Sequence, residues 1–239
     1  MVSKSQIKLI TSLGQKKYRD QAGLFIVEGP KIISDLLLSP LQLHSLFTAG
    51  FDFDISVPVQ SVSERELKKI SFLKNPNQAL AIFHIPTVDQ VHEKGLIVAL
   101  DEIQDPGNLG TIIRLCDWFG VNQLLCTKNT VDCFNPKVIQ ASMGSIARVS
   151  VLYIDLFNFL ENTSLPIFGG FMNAASVYSE TLTENAIIVV GNEGNGVSEE
   201  IEKIITNKIS IPQFGIKKET ESLNVATATA ILLSEFRRR

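Results

Sequence analysis

Short runs of aliphatic, β-branched and aromatic residues alternate with helical patterns along most of the chain, and this alternation constrains the fold more than any other feature. The strand candidates are "LFIVE" (24–28), "HSLFTA" (44–49), "ALAIFHI" (79–85), "GLIVALD" (95–101), "NQLLCT" (122–127), "VSVLYI" (149–154), "LPIFGGF" (165–171), "AIIVVG" (186–191) and "KISIP" (208–212). Helical patterns occupy 30–38, 63–72, 109–119, 136–146, 156–161, 197–205 and 223–237. Strands joined through helices form parallel sheets with helices on their faces. The polar stretch "PTVDQVHEKG" (86–95) follows a completed strand and reads as a linker. The chain is therefore expected to be α/β, with a small α/β domain over 1–90 and a larger parallel-sheet α/β domain over 95–239.

A length of 239 residues suits two modest domains, and a hydrophobic fraction of 45% is enough to fill their cores. The opening "MVSKSQIKLITSLG" carries charges and no uninterrupted apolar stretch, so no signal peptide is visible. No apolar run reaches the length of a membrane span. Cys116, Cys126 and Cys133 form no CxxC pair, which suits reduced thiols in the cytoplasm. With only His44, His84 and His92, scattered along the chain, a structural zinc site is not expected. The net charge of −3 argues against an all-basic surface. Basic residues are nevertheless uneven. Lys4, Lys8, Lys16, Lys17, Arg19 and Lys31 face only Asp20 and Glu28 in the first 31 positions, Lys217 and Lys218 adjoin in a loop, and the chain ends "RRR". Such clusters suit a polyanion touched at a few places, or solubility alone.

Three stretches of the second half concentrate chemistry. In "LDEIQDPGNLGTIIRLCDWFG" (100–120) a strand ends at Asp101 and a helix is expected from Leu109, with Asn108 as its N-cap. Arg114 sits in an otherwise apolar helix, where it would either pair with Asp117 one turn away or clamp an anion. In "VGNEGNGVSEE" (190–200) a strand runs through a glycine-rich turn into a helix, the arrangement that cradles phosphates. The glycine order is GxxGxG rather than GxGxxG, no second mononucleotide half follows, and Glu193 has the wrong charge to face a pyrophosphate. In "ISIPQFGIKKETESLNVATATAILLSEF" (209–236) a strand closes at Pro212, and Ser222-Leu223-Asn224 opens a helix that begins with small residues. Ser222 or Asn224 caps that helix on a purely local reading.

In combination, N-x5-R, then GNExxG, then IP…SLN before a small-residue helix resembles the three signature motifs of the SpoU (TrmH-like) RNA 2′-O-ribose methyltransferases, over most of 96–237. The stretch "KKYRDQAGLFIVEGPKIISDLL" (16–37) is similar to the L30e-like substrate-binding domain that precedes the catalytic domain in many of them. The resemblance implies a catalytic domain of SPOUT type whose C-terminal part is threaded into a deep trefoil knot. It implies S-adenosylmethionine as methyl donor, held by backbone groups of Gly191, Ile211 and Leu223, with the loop glycines allowing close approach to it, and no metal. The same resemblance gives catalytic roles to Arg114, Asn108, Glu193, Ser222 and Asn224, and a homodimer with the knot region and last helix at its interface. Because free arginine hardly deprotonates, Arg114 is expected to bind phosphate and position a proton.

The segment "QFGIKKETE" (213–221) is longer and more charged than the family pattern, which leaves the path of that loop open. Lys16, Lys17 and Arg19 of the fore-domain are expected to contact RNA. The expected activity is AdoMet-dependent 2′-O-methylation of ribosomal RNA in preference to transfer RNA. A catalytically silent RNA-binding protein with a knotted domain is the alternative, and a nicotinamide-dependent oxidoreductase is disfavoured by the missing second half.

Overall fold

The computed structural model describes residues 1–54, 57–87, 90–215 and 222–238. In chain order its main elements are α1 (Lys4–Ser12), α2 (Lys16–Ala22), β1 (Leu24–Glu28), α3 (Pro30–Leu37), β2 (Leu43–Thr48), β3 (Gln60–Ser61), α4 (Glu64–Ile70), β4 (Ala79–His84), β5 (Leu96–Leu100) and α5 (Pro106–Trp118). They continue with β6 (Gln123–Thr127), α6 (Pro136–Ser142), β7 (Ser150–Ile154), α7 (Leu156–Asn162), β8 (Ile167–Ser176), β9 (Ala186–Val190), α8 (Glu199–Glu202), β10 (Asn207–Ser210) and α9 (Val225–Arg237). The chain forms two units, one of Met1–Thr87 with Asp132–Arg148 and one of Val88–Val131 with Val149–Arg239.

The first unit is built on a four-stranded sheet of order β1-β4-β2-β3, in which β4 runs antiparallel to both neighbours and β2 pairs parallel with β3. Its helix α1, absent from the sequence pattern, is set by a capping box: Ser3 Oγ accepts from Gln6 N at 3.1 Å and Gln6 Oε1 accepts from Ser3 N at 2.8 Å. Ile10 and Leu13 then pack with Leu24, Ile26, Leu67 and Ile70 into one core. The later segment 132–148 belongs to this same unit: α6 packs on β1, and the ring of Phe134 lies 4.8 Å from that of Phe25. The helix predicted over 136–146 stops at Ser142, because Met143 and Gly144 both adopt left-handed backbone (φ 51 and 88) before a 3-10 turn at Ser145–Ala147.

Arg19 is corrected by this packing. It is only 2% exposed and so cannot face RNA. Its Nε donates to Asp132 Oδ2 at 2.9 Å, its Nη2 reaches the same oxygen, and its Nη1 donates to the Leu13 carbonyl at 2.8 Å. Replacing Arg19 by methionine leaves a half-buried carboxylate without its cation, and is expected to cost about 3–5 kcal/mol. Urea unfolding checks this, and a loss under about 1 kcal/mol would show that the pair does not hold the unit together. Lys16 and Lys17 remain exposed, the first paired with Asp20 at 2.8 Å and the second with its Nζ 6.0 Å from the centroid of the Tyr18 ring.

The second unit is a six-stranded, wholly parallel sheet of order β10-β8-β9-β5-β6-β7. Every residue of β5 and β9 is buried, as expected of strands covered on both faces, and their sequences are unbroken apolar runs for that reason. Strand β8 extends five residues beyond its predicted end. It does so through an irregular stretch, the pairing with β10 jumping from Gly169 to Ala175 between Lys208 and Ile209. Strands β5 and β9 are neighbours, in register from Leu96↔Ala186 to Leu100↔Val190. After β5 the chain crosses towards β6, and after β9 it crosses the other way, past β8, to β10. The carboxyl ends of β5 and β9 therefore form a topological switch point, where open α/β sheets bind their ligands.

Candidate active site

Two loops open at that switch point. The loop after β9 closes on itself: Asn192 N donates to Gly196 O and Gly196 N to Asn192 O, both at 2.9 Å. Asn192 organises it further, its Oδ1 accepting from Gly194 N at 2.9 Å and Asn195 N at 3.1 Å while its Nδ2 donates to Glu102 O at 2.7 Å. A Cβ on Gly191 would stand 2.2 Å from Gly196 C and Val197 N, so this glycine is required by the loop's own backbone. Asp101, buried at the end of β5, accepts Ser198 N at 2.7 Å and ties the far end of the loop to the sheet.

The loop after β5 leads into α5 earlier than expected. Asp105, not Asn108, is the N-cap: its Oδ1 accepts Asn108 N at 2.9 Å, and Pro106 takes the first helical position. Asn108 thus sits at the third helical position with its amide free for other partners. Its Nδ2 donates to Glu193 Oε1 at 2.9 Å, and its Oδ1 accepts from Asn224 Nδ2 at 2.9 Å. Asn224 in turn caps α9, its Oδ1 accepting Ala226 N at 3.0 Å and Thr227 N at 3.2 Å. One hydrogen-bonded chain therefore runs from the carboxylate of the second motif, through the asparagine of the first, to the asparagine of the third and the start of the last helix.

Glu193 also accepts Gln104 N and Asp105 N, each at 3.3 Å. Partial burial would raise its pKa, but the Asn108 amide and the backbone N–H groups of Glu193, Gln104 and Asp105 outweigh that and hold the carboxyl below the usual range. A lowered folded-state pKa contributes stability above the unfolded value of about 4.3, and that contribution fades as pH falls through the folded value. The stability gap between wild type and Glu193→Gln should accordingly be present at neutral pH and close on acidification below about pH 4. Urea midpoints across that range check it, and a gap independent of pH would contradict the assignment.

The structure joins Asn108, Glu193 and Asn224 through hydrogen bonds. Arg114 lies six residues further along α5, about 9 Å of helical rise from Asn108. It is exposed and makes no hydrogen bond or ion pair among the described residues, so the pair with Asp117 is not formed. Ser222 is exposed beside the 216–221 stretch. That stretch, with Lys217 and Lys218, is outside the described residues. Gly191 follows β9, Ile211 follows β10, and Leu223 precedes the cap of α9. No grouping of three or more metal-ligating side chains occurs among the described residues. Asn192, Asp101 and Asp105 escaped the sequence reading. Only Asp105, as a capping residue just before Pro, carried a local signal.

A family model for the SpoU rRNA methylase family matches residues 95–234, and one for the MRM3-like substrate binding domain matches residues 4–81. The chain belongs to the SpoU rRNA methylase family. It is 27% identical over 241 residues to the 23S rRNA (guanosine(2553)-2′-O)-methyltransferase RlmP of Bacillus subtilis, covering 97% of this chain and 96% of that one. A TrmH-family protein from Porphyromonas gingivalis superposes with a TM-score of 0.88 at 37% identity, over 100% of this chain and 99% of the other. An AdoMet-bound rRNA methyltransferase from Sinorhizobium meliloti superposes with a TM-score of 0.87 at 27% identity, over 100% and 97%.

Proposed function

We propose that this protein transfers the methyl group of S-adenosylmethionine to a ribose 2′-hydroxyl of ribosomal RNA. The observation that carries the reading is the hydrogen-bonded chain Glu193–Asn108–Asn224 at the switch point, which links all three motifs of the family in one site. It weighs against a silent RNA-binding protein, since a site without chemistry has no use for three motifs held in register. Ribosomal rather than transfer RNA is the substrate, in line with the relatives named above.

When bound, S-adenosylmethionine supplies an electrophilic methyl on a sulfonium sulfur. The main chain at Gly191, Ile211 and Leu223 would hold it. The 2′-hydroxyl must lose or share its proton as the new O–C bond forms, and a cation beside it favours that step. Arg114 supplies that cation, binding the neighbouring RNA phosphate with its planar fork and positioning the hydroxyl proton. Glu193 fixes the Asn108 amide, Asn108 fixes Asn224, and Ser222 orients the ribose. Lys16 and Lys17 contribute phosphate contacts from the first unit. The segment from β9 to α9 forms a trefoil knot, and two copies associate through the knot region and α9. In such a dimer the exposed Arg114 and the nearby Trp118, which is 83% exposed, gain their partners from the second copy. The protein works in the cytoplasm, in line with the bacterial rRNA methyltransferase among its relatives. Among the described residues no helix is long and apolar enough to cross a membrane.

The test is a map of ribose methylation across ribosomal and transfer RNA in cells with and without the protein. Loss of one rRNA site, restored by the wild type, is the expected result. Loss of a tRNA site would move the substrate, and no lost site would return the silent RNA-binding reading.

A further inference from the structure

The first unit contains a cavity of about 330 Å³ that the chemistry above does not use. Ile26, Phe72 and Pro136 form its apolar wall, Glu28 lies in its lining, and Lys137 and Gln140 complete the lining from α6. Its size is at the lower end of the roughly 300–1,000 Å³ of small-molecule sites, and its mix of apolar walls with a few polar groups is theirs too. Glu28 is 5% exposed, a rare place for a carboxylate without a cation. Its Oε1 accepts Phe72 N at 2.7 Å and its Oε2 accepts the Ser71 hydroxyl. Burial still pushes its pKa up, against the lowering by Ser71, Phe72 and Leu73. The two hydrogen bonds from Phe72 and Ser71 leave room at a carboxylate with about four acceptor positions.

From this geometry we infer that the cavity is a subsite for an unstacked nucleobase of the substrate RNA, one that carries an amino group, with guanine the best fit. A flat ring would pack against Phe72 and Pro136, which both line the cavity. Sequence-specific proteins read single-stranded RNA in this way, stacking splayed bases on aromatic rings and bonding their edges. Glu28 accepts from the amino group, and guanine places a ring N–H next to its amino group so that two donors meet one carboxylate. Lys137, exposed at the rim, meets the attached phosphate. Because α6 comes from 136–142, the subsite is assembled from both stretches of the first unit. The inference rests on the proposed action on RNA and names how the first unit selects its target.

The experiment uses the full chain and two variants. Ala141→Phe fills the cavity from α6 while Glu28 and the Ser71–Leu73 turn keep their own residues, and Glu28→Gln keeps the shape while removing the charge. Guanosine 5′-monophosphate is titrated by NMR against uridine 5′-monophosphate as the base without an amino group. Wild type should prefer the guanine nucleotide by about tenfold or more, Ala141→Phe should bind neither, and Glu28→Gln should lose the preference. In methyl transfer to rRNA from cells lacking the protein, Ala141→Phe should raise KM for RNA by about tenfold with little change in kcat, while the Kd for S-adenosylmethionine stays at the wild-type value. Guanine binding that survives the plug, or no binding by wild type together with an unchanged KM in Ala141→Phe, overturns the subsite and leaves the methyltransferase reading standing. Guanine binding at the cavity by a wild type that methylates no RNA overturns that reading instead and leaves the subsite.

Discussion

Replacing Arg114 by alanine is expected to lower kcat for RNA methylation by about 10²- to 10³-fold or more, while fold and cofactor binding are kept. The two halves of that expectation have different sources. Arg114 is exposed on α5 and makes no hydrogen bond or ion pair among the described residues, so its removal leaves no buried group unpaired. Surface changes of that kind stay within about 0.5 kcal/mol. The activity loss follows because the sulfonium reaction needs a proton shared away from a hydroxyl that alkylates poorly while neutral, and Arg114 is the cation proposed for that place. Arg114→Lys keeps the charge and loses the planar fork, so it should recover little of kcat. Single-turnover methylation of rRNA measures both variants, with circular dichroism and AdoMet titration as controls. Full activity in Arg114→Ala would remove this residue from the chemistry.

The second large effect is on stability. Gly191→Ala places a methyl carbon 2.2 Å from two backbone atoms of the same loop and 2.3 Å from Gly196 O. No side chain can rotate aside, because the obstructing atoms are main chain. The loop must open, breaking the paired bonds between Asn192 and Gly196 and shifting Glu193 away from Asn108. A cost of about 4 kcal/mol or more is expected, in the range reserved for strained or overpacked sites. For a chain of this size that lowers the thermal midpoint by roughly 8–16 °C. Gly194→Ala is the matched control, since its Cβ would meet only Asn192 Oδ1, at 3.6 Å. Scanning calorimetry of both decides the matter, and equal midpoints would show that the loop yields at no cost.

Much of this was legible in the sequence, and the misses share a cause. The strand β1 falls at its predicted bounds and β9 within one residue, because each is a short apolar run whose length and flanks allow no other reading. The three stretches whose Asn108, Glu193 and Asn224 meet were likewise visible as an order of residue types. What local pattern could not supply was the choice among partners. Asn108 is as good a cap as Asp105 by residue type, and only Pro106 and the location of Glu193 decide between them. Arg19 stands among lysines and reads as part of a basic surface, while the carboxylate that buries it lies 113 residues away. Helix α1 has few apolar residues, and its capping box carries the signal that periodicity lacks. The return of 132–148 to the first unit leaves no local mark, since a helix packed on one sheet has the same periodicity as a helix packed on another.

That return also sets a schedule for the chain as it is made. Synthesis proceeds at about 5–20 residues per second, and domains that are continuous in sequence fold as they emerge. Here Arg19 emerges long before Asp132, and at those rates the arginine waits on the order of 6–23 s for its counter-charge. During that interval β1 also lacks α6 and Phe25 lacks Phe134. A nascent chain stalled anywhere between residues 87 and 131 therefore presents an incomplete first unit with Arg19 still lacking its counter-charge, a species suited to chaperones or proteases.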